Sequence, residues 1–246
     1  MIYRKSFFIP ILLYGSEIWG YEDPKQVHVV YNEFMKRILR LNKSTSTCMV
    51  YGELGVKSVS EYIENRMVNF WHRLATGNDN KISTLLYKMI QIMYTQNMYL
   101  SPWLDKIKKL LDYNGMSNLF EEPGSVNHIW FKEAFKLRIN DVNRQKWQEV
   151  VHNSSACLTY RIVTVQKDLQ YYLINLPVKY AYDLCKFKCG NHKLPIVTGR
   201  FQNLAIDERV CRLCQLNDVG DKFHCVLRCP FFHENRKKVC KKMLSL

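Results

Sequence analysis

The sequence predicts a mainly helical fold ending in a small cysteine- and histidine-rich module, on three observations. Apolar residues recur at three- and four-residue spacing in stretch after stretch. Helix-start and helix-stop residues bracket those stretches. Near the C-terminus, Cys211, Cys214, His224 and Cys229 stand as C-x2-C-x9-H-x4-C, an order in which one tight loop offers two ligands and a later turn two more.

The first clear helix is capped by Asp23, with Pro24 at its first position. Val27, Val30, Tyr31, Phe34, Ile38 and Leu41 form its apolar stripe, and Lys25, Lys36, Arg37 and Arg40 lie off that stripe. "SVSE", Ser58 to Glu61, is a capping box. Ile63, Met67, Phe70 and Leu74 follow at helical spacing, and Gly77 is the stop. Another helix spans about 81–94. Ser101 caps the next, with Pro102 inside it and Gly115 as its exit.

Turn formers gather over 114–127, and a boundary is placed there. A long helix over about 126–152 carries Lys132, Lys136, Arg138, Arg144 and Lys146. "YRIVTVQKDLQYYL" reads as a short strand or helix, and "PVKYAYDLCKFKCG" as a helix. Three regions result: helical 1–114, helical 126–206, and the cysteine module with its basic tail over 207–246. Aromatic and Met residues on the helices are assigned to the core.

A composition of 47% hydrophobic and 24% charged residues is that of a globular chain. Lys and Arg number 36 against 22 Asp and Glu, a net charge of +14. Such a surplus calls for a polyanionic partner, nucleic acid first. Basic faces recur on helix after helix, which points to a shared electropositive groove.

The opening "MIYRKSFFIPILLYGSEIWG" does not read as a secretory leader. Pro10 interrupts the apolar run, and Glu17 and Trp19 stand where small cleavage-site residues belong. No run is long enough to span a membrane, and a membrane partner is not expected. The chain is therefore expected inside the cell, nuclear or cytoplasmic, where its nine cysteines bind metal or are buried.

The four-residue constellation is assigned one zinc ion. "NDVGD" with Gly220 supplies the turn between its halves, and Pro230 follows the last thiol. The fourth ligand stays open at this point, because Cys225 and His233 lie close enough in sequence to substitute. Cys185, Cys189 and His192 are read as buried thiols beside a hydrogen-bonded imidazole, and Cys48, Cys157 and Cys240 as structural. Arg212, Phe223 and Arg228 are the module's candidates for contacting unpaired bases. Arg236, Lys237, Lys238, Lys241 and Lys242 in the tail would neutralise phosphate, as would Lys36, Arg37 and Arg40.

Four segments carry a family resemblance. "ILLYGSEIWG" resembles the sequence after the palm in reverse transcriptases of LINE-type (non-LTR) retrotransposons. "KSTSTCMVYGELGVKSV" resembles their thumb segment, with Glu53, Leu54 and Gly55 as its E-L-G turn. "CGNHKLPIVTGRF" resembles the H-x-L-x-I-E-T-G-R signature before the terminal zinc knuckle, with Val197 where the family usually has Glu. "ERVCRLCQLNDVGDKFHCVLRCPFF" resembles the knuckle itself.

The resemblance runs in order along the whole chain. It implies a thumb-like helical half, a helical C-terminal half, and knuckle ligands at Cys211, Cys214, His224 and Cys229. It also implies a region that holds template RNA or target DNA. The family's polymerase seats two metals on adjacent aspartates, and no Asp-Asp pair occurs here. The expectation is a non-catalytic fragment that binds RNA or single-stranded DNA and has no small-molecule substrate. It resembles a 5′-truncated element copy whose Met1 falls inside the original polyprotein. Two rivals stand beside it: the C-terminal part of an active RNA-directed DNA polymerase whose palm lies upstream, and a host-adopted zinc module that binds protein.

Overall fold

The computed structural model describes residues 4–77, 81–96, 98–164 and 166–244. Among them eight helices have eight residues or more: α1 (Lys25–Ile38), α2 (Thr47–Leu54), α3 (Val59–Ala75), α4 (Ile82–Thr95), α5 (Pro102–Tyr113), α6 (His128–Asn153), α7 (Val178–Lys188) and α8 (His233–Leu244). The described residues form no strand, only the single bridges Leu54–Leu169 and Val210–Val219. None of their helices is long and apolar enough to cross a membrane.

Two helix starts follow the sequence reading, and a third adds a cap it did not name. Ser58 Oγ accepts from the Glu61 amide at 3.2 Å while the Glu61 carboxylate accepts from the Ser58 amide at 2.9 Å, a reciprocal box opening α3. Ser101 Oγ accepts from the Leu104 amide, and Asn127 Oδ1 from the Trp130 amide, opening α5 and α6. Helix α3 is the centre of the first half. It buries Ile63, Met67, Val68 and Trp71, and packs against Ser16–Trp19, α4, α5 and α6.

Three readings change, and a fourth narrows to the helical one of its two alternatives. Asp23 does not cap α1: it sits at φ 48° with its carboxylate 2.5 Å from His28 Nε2, and Pro24 takes the cap position without a side-chain bond. The buried line of α1 is Tyr31, Met35 and Leu39, leaving Val30 exposed. Its rotation is set where Tyr31 Oη donates to Lys57 O at 2.6 Å. The stretch after Thr159 forms two isolated turns, Tyr160–Val163 and Tyr172–Asn175, with Leu169 bridged to Leu54 between them. Finally, α4 turns its aliphatic residues out, exposing Met89 and Met93 rather than placing them in the core. Its inward side carries Thr84 and Tyr87, and Trp71 Nε1 donates to Tyr87 Oη at 2.9 Å. The segment 7–14 is divided in a similar way, with Ile9 and Leu13 buried and Phe7, Ile11 and Tyr14 exposed.

Later segments close onto α2. Trp147 Nε1 donates to Cys48 O at 2.7 Å, Tyr160 Oη to Met49 O at 3.1 Å, and the Gln170 amide to Glu53 O at 3.0 Å. Gly55 ends α2 at φ +58°, and a Cβ there would lie 2.3 Å from Leu169 N, so conformation and space both require glycine. Two buried carboxylates complete the closure. Glu53 pairs with Lys188 at 2.8 Å, and Glu61 with Lys167 at 3.1 Å.

Removing Glu53 would strand the Lys188 ammonium, whose side chain is only 11% exposed. Glu53→Ala is expected to lower unfolding free energy by about 3–5 kcal/mol in urea titration, as for other broken buried pairs. The double change Glu53→Leu with Lys188→Met should recover much of that. A loss within 1 kcal/mol for the single variant would contradict the pair's role, since ordinary surface changes cost about that little.

A second outcome concerns acid. His72 is fully buried, with Nε2 3.1 Å from Pro123 O and Nδ1 3.1 Å from His128 Nδ1. Burial, reinforced by His128, holds its pKa down to about 4. The unfolded chain takes up that proton near 6.5 and the folded chain only near 4, so stability falls as pH drops through this window. His192, also held to about 4 by burial and by Lys222, acts in the same direction. The thermal midpoint should therefore decrease from pH 6.5 to 4.5, and a flat profile would contradict the buried neutral pair.

Candidate metal centre and nucleic-acid interface

The module is built from two short turns. The first is a miniature hairpin in which Gly220 N donates to Arg209 O and Cys211 N to Asp218 O, both at 2.8 Å. Val210 and Val219 form its bridge, and Asn217 at φ +51° lets the loop return. This presents Cys211 and Cys214 from one side. The second is a π-helical turn, His224–Arg228, closed by Cys229 N donating to His224 O at 2.7 Å.

In an α-helix, residues five apart point about 140° away from each other. The wider i→i+5 turn brings His224 and Cys229 round to one centre. Asp221 Oδ1 accepts from the His224 amide at 2.7 Å and starts that turn.

The ligand atoms of Cys211, Cys214, His224 and Cys229 all lie within 4.8 Å of one another. Cys211 Sγ is 3.9 Å from Cys229 Sγ, and Cys214 Sγ is 3.3 Å from His224 Nε2. A tetrahedron with metal–sulfur bonds of about 2.3 Å has S···S edges of about 3.8 Å, and slightly shorter S···N edges. The group can therefore hold a metal ion, with Nε2 as the imidazole ligand. The alternatives fall away: Cys225 lies outside the group, and burial, with the Cys211 charge next, pushes its thiol up to about 11. His233 is exposed and also outside it. Cys185, Cys189 and His192 form no second group among the described residues.

The sequence reading took "NDVGD" only for its turn, yet Asp218 has a further place. Its Oδ2 lies 3.3 Å from the otherwise unpartnered Nδ1 of His224, an ion-pair distance without hydrogen-bond alignment. A carboxylate there orients a ligating imidazole and raises its basicity. Lys222 was missed as well. It reaches into the helical body, donating to Lys188 O at 2.8 Å and Thr159 Oγ1 at 2.9 Å. Gly220 sits so close to Pro195 that a Cβ would meet Pro195 Cγ at 2.7 Å. The stretch "LPIVTGR" thus serves as the seat of the module.

On the solvent side Phe223 is 52% exposed, and the Arg228 guanidinium lies 5.0 Å over its ring. Arg212 is exposed beside Cys211. In the tail Lys238 is exposed, Lys237 pairs with Glu234 at 3.0 Å, and Arg236 is half-buried with Nη1 unpartnered. Lys241 and Lys242 belong to α8, but their side chains lie outside the described residues. On α1, Lys36 donates to Lys43 O at 2.5 Å and Arg37 pairs with Glu33 at 3.5 Å. Arg40, just past α1, lies 4.5 Å over the Tyr182 ring of α7. A second basic feature is a cleft of about 240 Å³ where Lys106, Lys109 and Lys146 meet Glu64 and Tyr113, between α3, α5 and α6. No family model, curated protein or solved structure matches this chain.

The ligand assignment has a direct check. Cys214→Ser and His224→Ala should each lose the bound metal on elemental analysis and unfold the segment from about 207 to 233, because metal binding drives folding of such modules. Cys225→Ser should keep it. The reverse pattern for His224 and Cys225 would overturn the assignment.

Proposed function

We propose that this chain is a zinc-containing, nucleic-acid-binding part of a LINE-type reverse transcriptase, without polymerase chemistry of its own, that takes RNA first and single-stranded DNA second. The observation that carries the binding reading is the exposed Phe223–Arg228 pair, set on the same turn as two of the metal-group side chains. A ring and a guanidinium plane held beside each other by a rigid turn offer stacking to an unpaired base. Zinc is the ion that three thiolates and one imidazole in a tetrahedron select.

The net charge of +14 supplies the sequence-independent part of binding, because each neutralised phosphate releases condensed counterions. The absence of an Asp-Asp pair supports the non-catalytic reading. The family assignment rests on the order of the four motif segments along the chain.

One observation favours a second reading. Leu213, Leu216, Val226, Leu227 and Phe231 are all about half exposed or more around the metal group, which suits a protein contact.

Affinity measured at several salt concentrations, on single-stranded and duplex RNA, separates the two. Chelation of zinc should weaken single-strand binding by at least ~5-fold, the loss of about one stacked base, with little change in salt slope. Alanine at Arg236, Lys237, Lys238, Lys241 and Lys242 should lower the slope and weaken both substrates alike. Single-strand affinity untouched by chelation would leave the module as a protein contact.

A further inference from the structure

We propose that the outer face of α4 is a homodimer interface, occupied by the same face of a second copy of this chain. An amphipathic helix ordinarily points its aliphatic stripe at its own core, and α4 is mounted the other way round. Ile82, Leu85, Leu86, Met89, Ile92 and Met93 share one arc of about 120° at 3.6 residues per turn, and every one of them is exposed or half-exposed.

Two hydrogen bonds fix the mounting. Trp71 Nε1 donates to Tyr87 Oη at 2.9 Å, and Tyr94 Oη donates to Asp105 Oδ1 at 2.5 Å. Both tyrosines lie on the inward side, so α4 cannot roll its aliphatic arc inward without breaking both bonds.

The exposed area tells against a face left in water. With Ile90 included, seven neighbouring apolar residues of α4 are each more than a third exposed, a contiguous apolar patch of the kind that marks an interaction site.

Charge decides the occupant. Lys88 is the one formal charge between Ile82 and Thr95, in a chain that carries +14. An acidic partner or a polyanion is drawn to the basic faces elsewhere, and α4 offers it only Lys88. The complement of an uncharged aliphatic face is another such face, and a second copy meets it with little like-charge repulsion. Ile82, Leu85, Met89 and Ile92 also follow the three-four-three spacing of a coiled-coil seam. Two α4 helices related by a twofold axis would interleave these side chains in a self-complementary contact.

The test is sedimentation equilibrium of the 246-residue chain, with zinc supplied, between roughly 1 and 100 µM, a range that brackets micromolar association. Wild type should show a monomer–dimer equilibrium with twice the chain mass at the upper end. Met89→Glu, at the centre of an already exposed face, should weaken dimerisation at least 10-fold with the helical circular dichroism unchanged. Leu86→Gln should give a smaller loss of the same kind, and its reading stands if the glutamate variant fails to fold. Ile11→Glu, on the other exposed apolar segment, should dimerise as wild type does. A wild type that stays monomeric across the range overturns the proposal. So does a dimer that survives both α4 substitutions, or a monomer whose α4 face instead binds neutral phospholipid vesicles.

Discussion

The carboxylate of Glu53 is the point on which the two halves of the chain turn. It is fully buried at the end of α2, where Lys188 of α7 reaches it at 2.8 Å and the Tyr172 hydroxyl donates to it. A buried charge is costly unless it is paired and hydrogen-bonded, so α2 and the later segments are held to one arrangement. Gly52 and Gly55 on either side allow the approach. A Cβ on Gly52 would lie 2.4 Å from Tyr160 Oη, and one on Gly55 would collide with the backbone at Leu169. Glu61 repeats the device, capping α3 while it pairs with Lys167.

The same logic carries outward to the metal module. Lys188 gives its ammonium to Glu53 and its carbonyl to Lys222. One residue thus joins the buried pair to the turn that holds His224. The module is a small unit with little core of its own, and such units depend on metal and on docking for their order. Here Lys222, Gly220 and Pro195 dock it, and the Cys3His group closes it. Phe223 and Arg228 lie exposed on its outer side.

Charge and apolar surface are separated across the molecule. Lysines gather around the cleft between α3, α5 and α6, and arginines on the metal module. The outer face of α4 is almost uncharged. The proposed polyanion partner and the proposed second copy of the chain would therefore have different places to bind. Not every basic residue adds to the exposed positive surface: Lys167, Lys188 and Lys222 are drawn inward by carboxylates, a carbonyl and a hydroxyl.

What the sequence determined by itself was local. The helical class, the caps at Ser58 and Ser101, and the four candidate ligands follow from residue types three to five positions apart. Backbone hydrogen bonding and ligand-bearing turns act over that range. The chain's return on itself decided the rest. The rotation of α1 depends on Tyr31 reaching Lys57, and the inverted mounting of α4 on Trp71 and Tyr87. No periodicity encodes either, because an apolar stripe has the same spacing whichever side it faces. Glu53 and Glu61 read as one turn residue and one cap until lysines more than a hundred residues later arrive beside them. The choice of His224 over its neighbour Cys225 came from a π-turn that spacing alone does not reveal, since five residues apart is the wrong face of an ordinary helix.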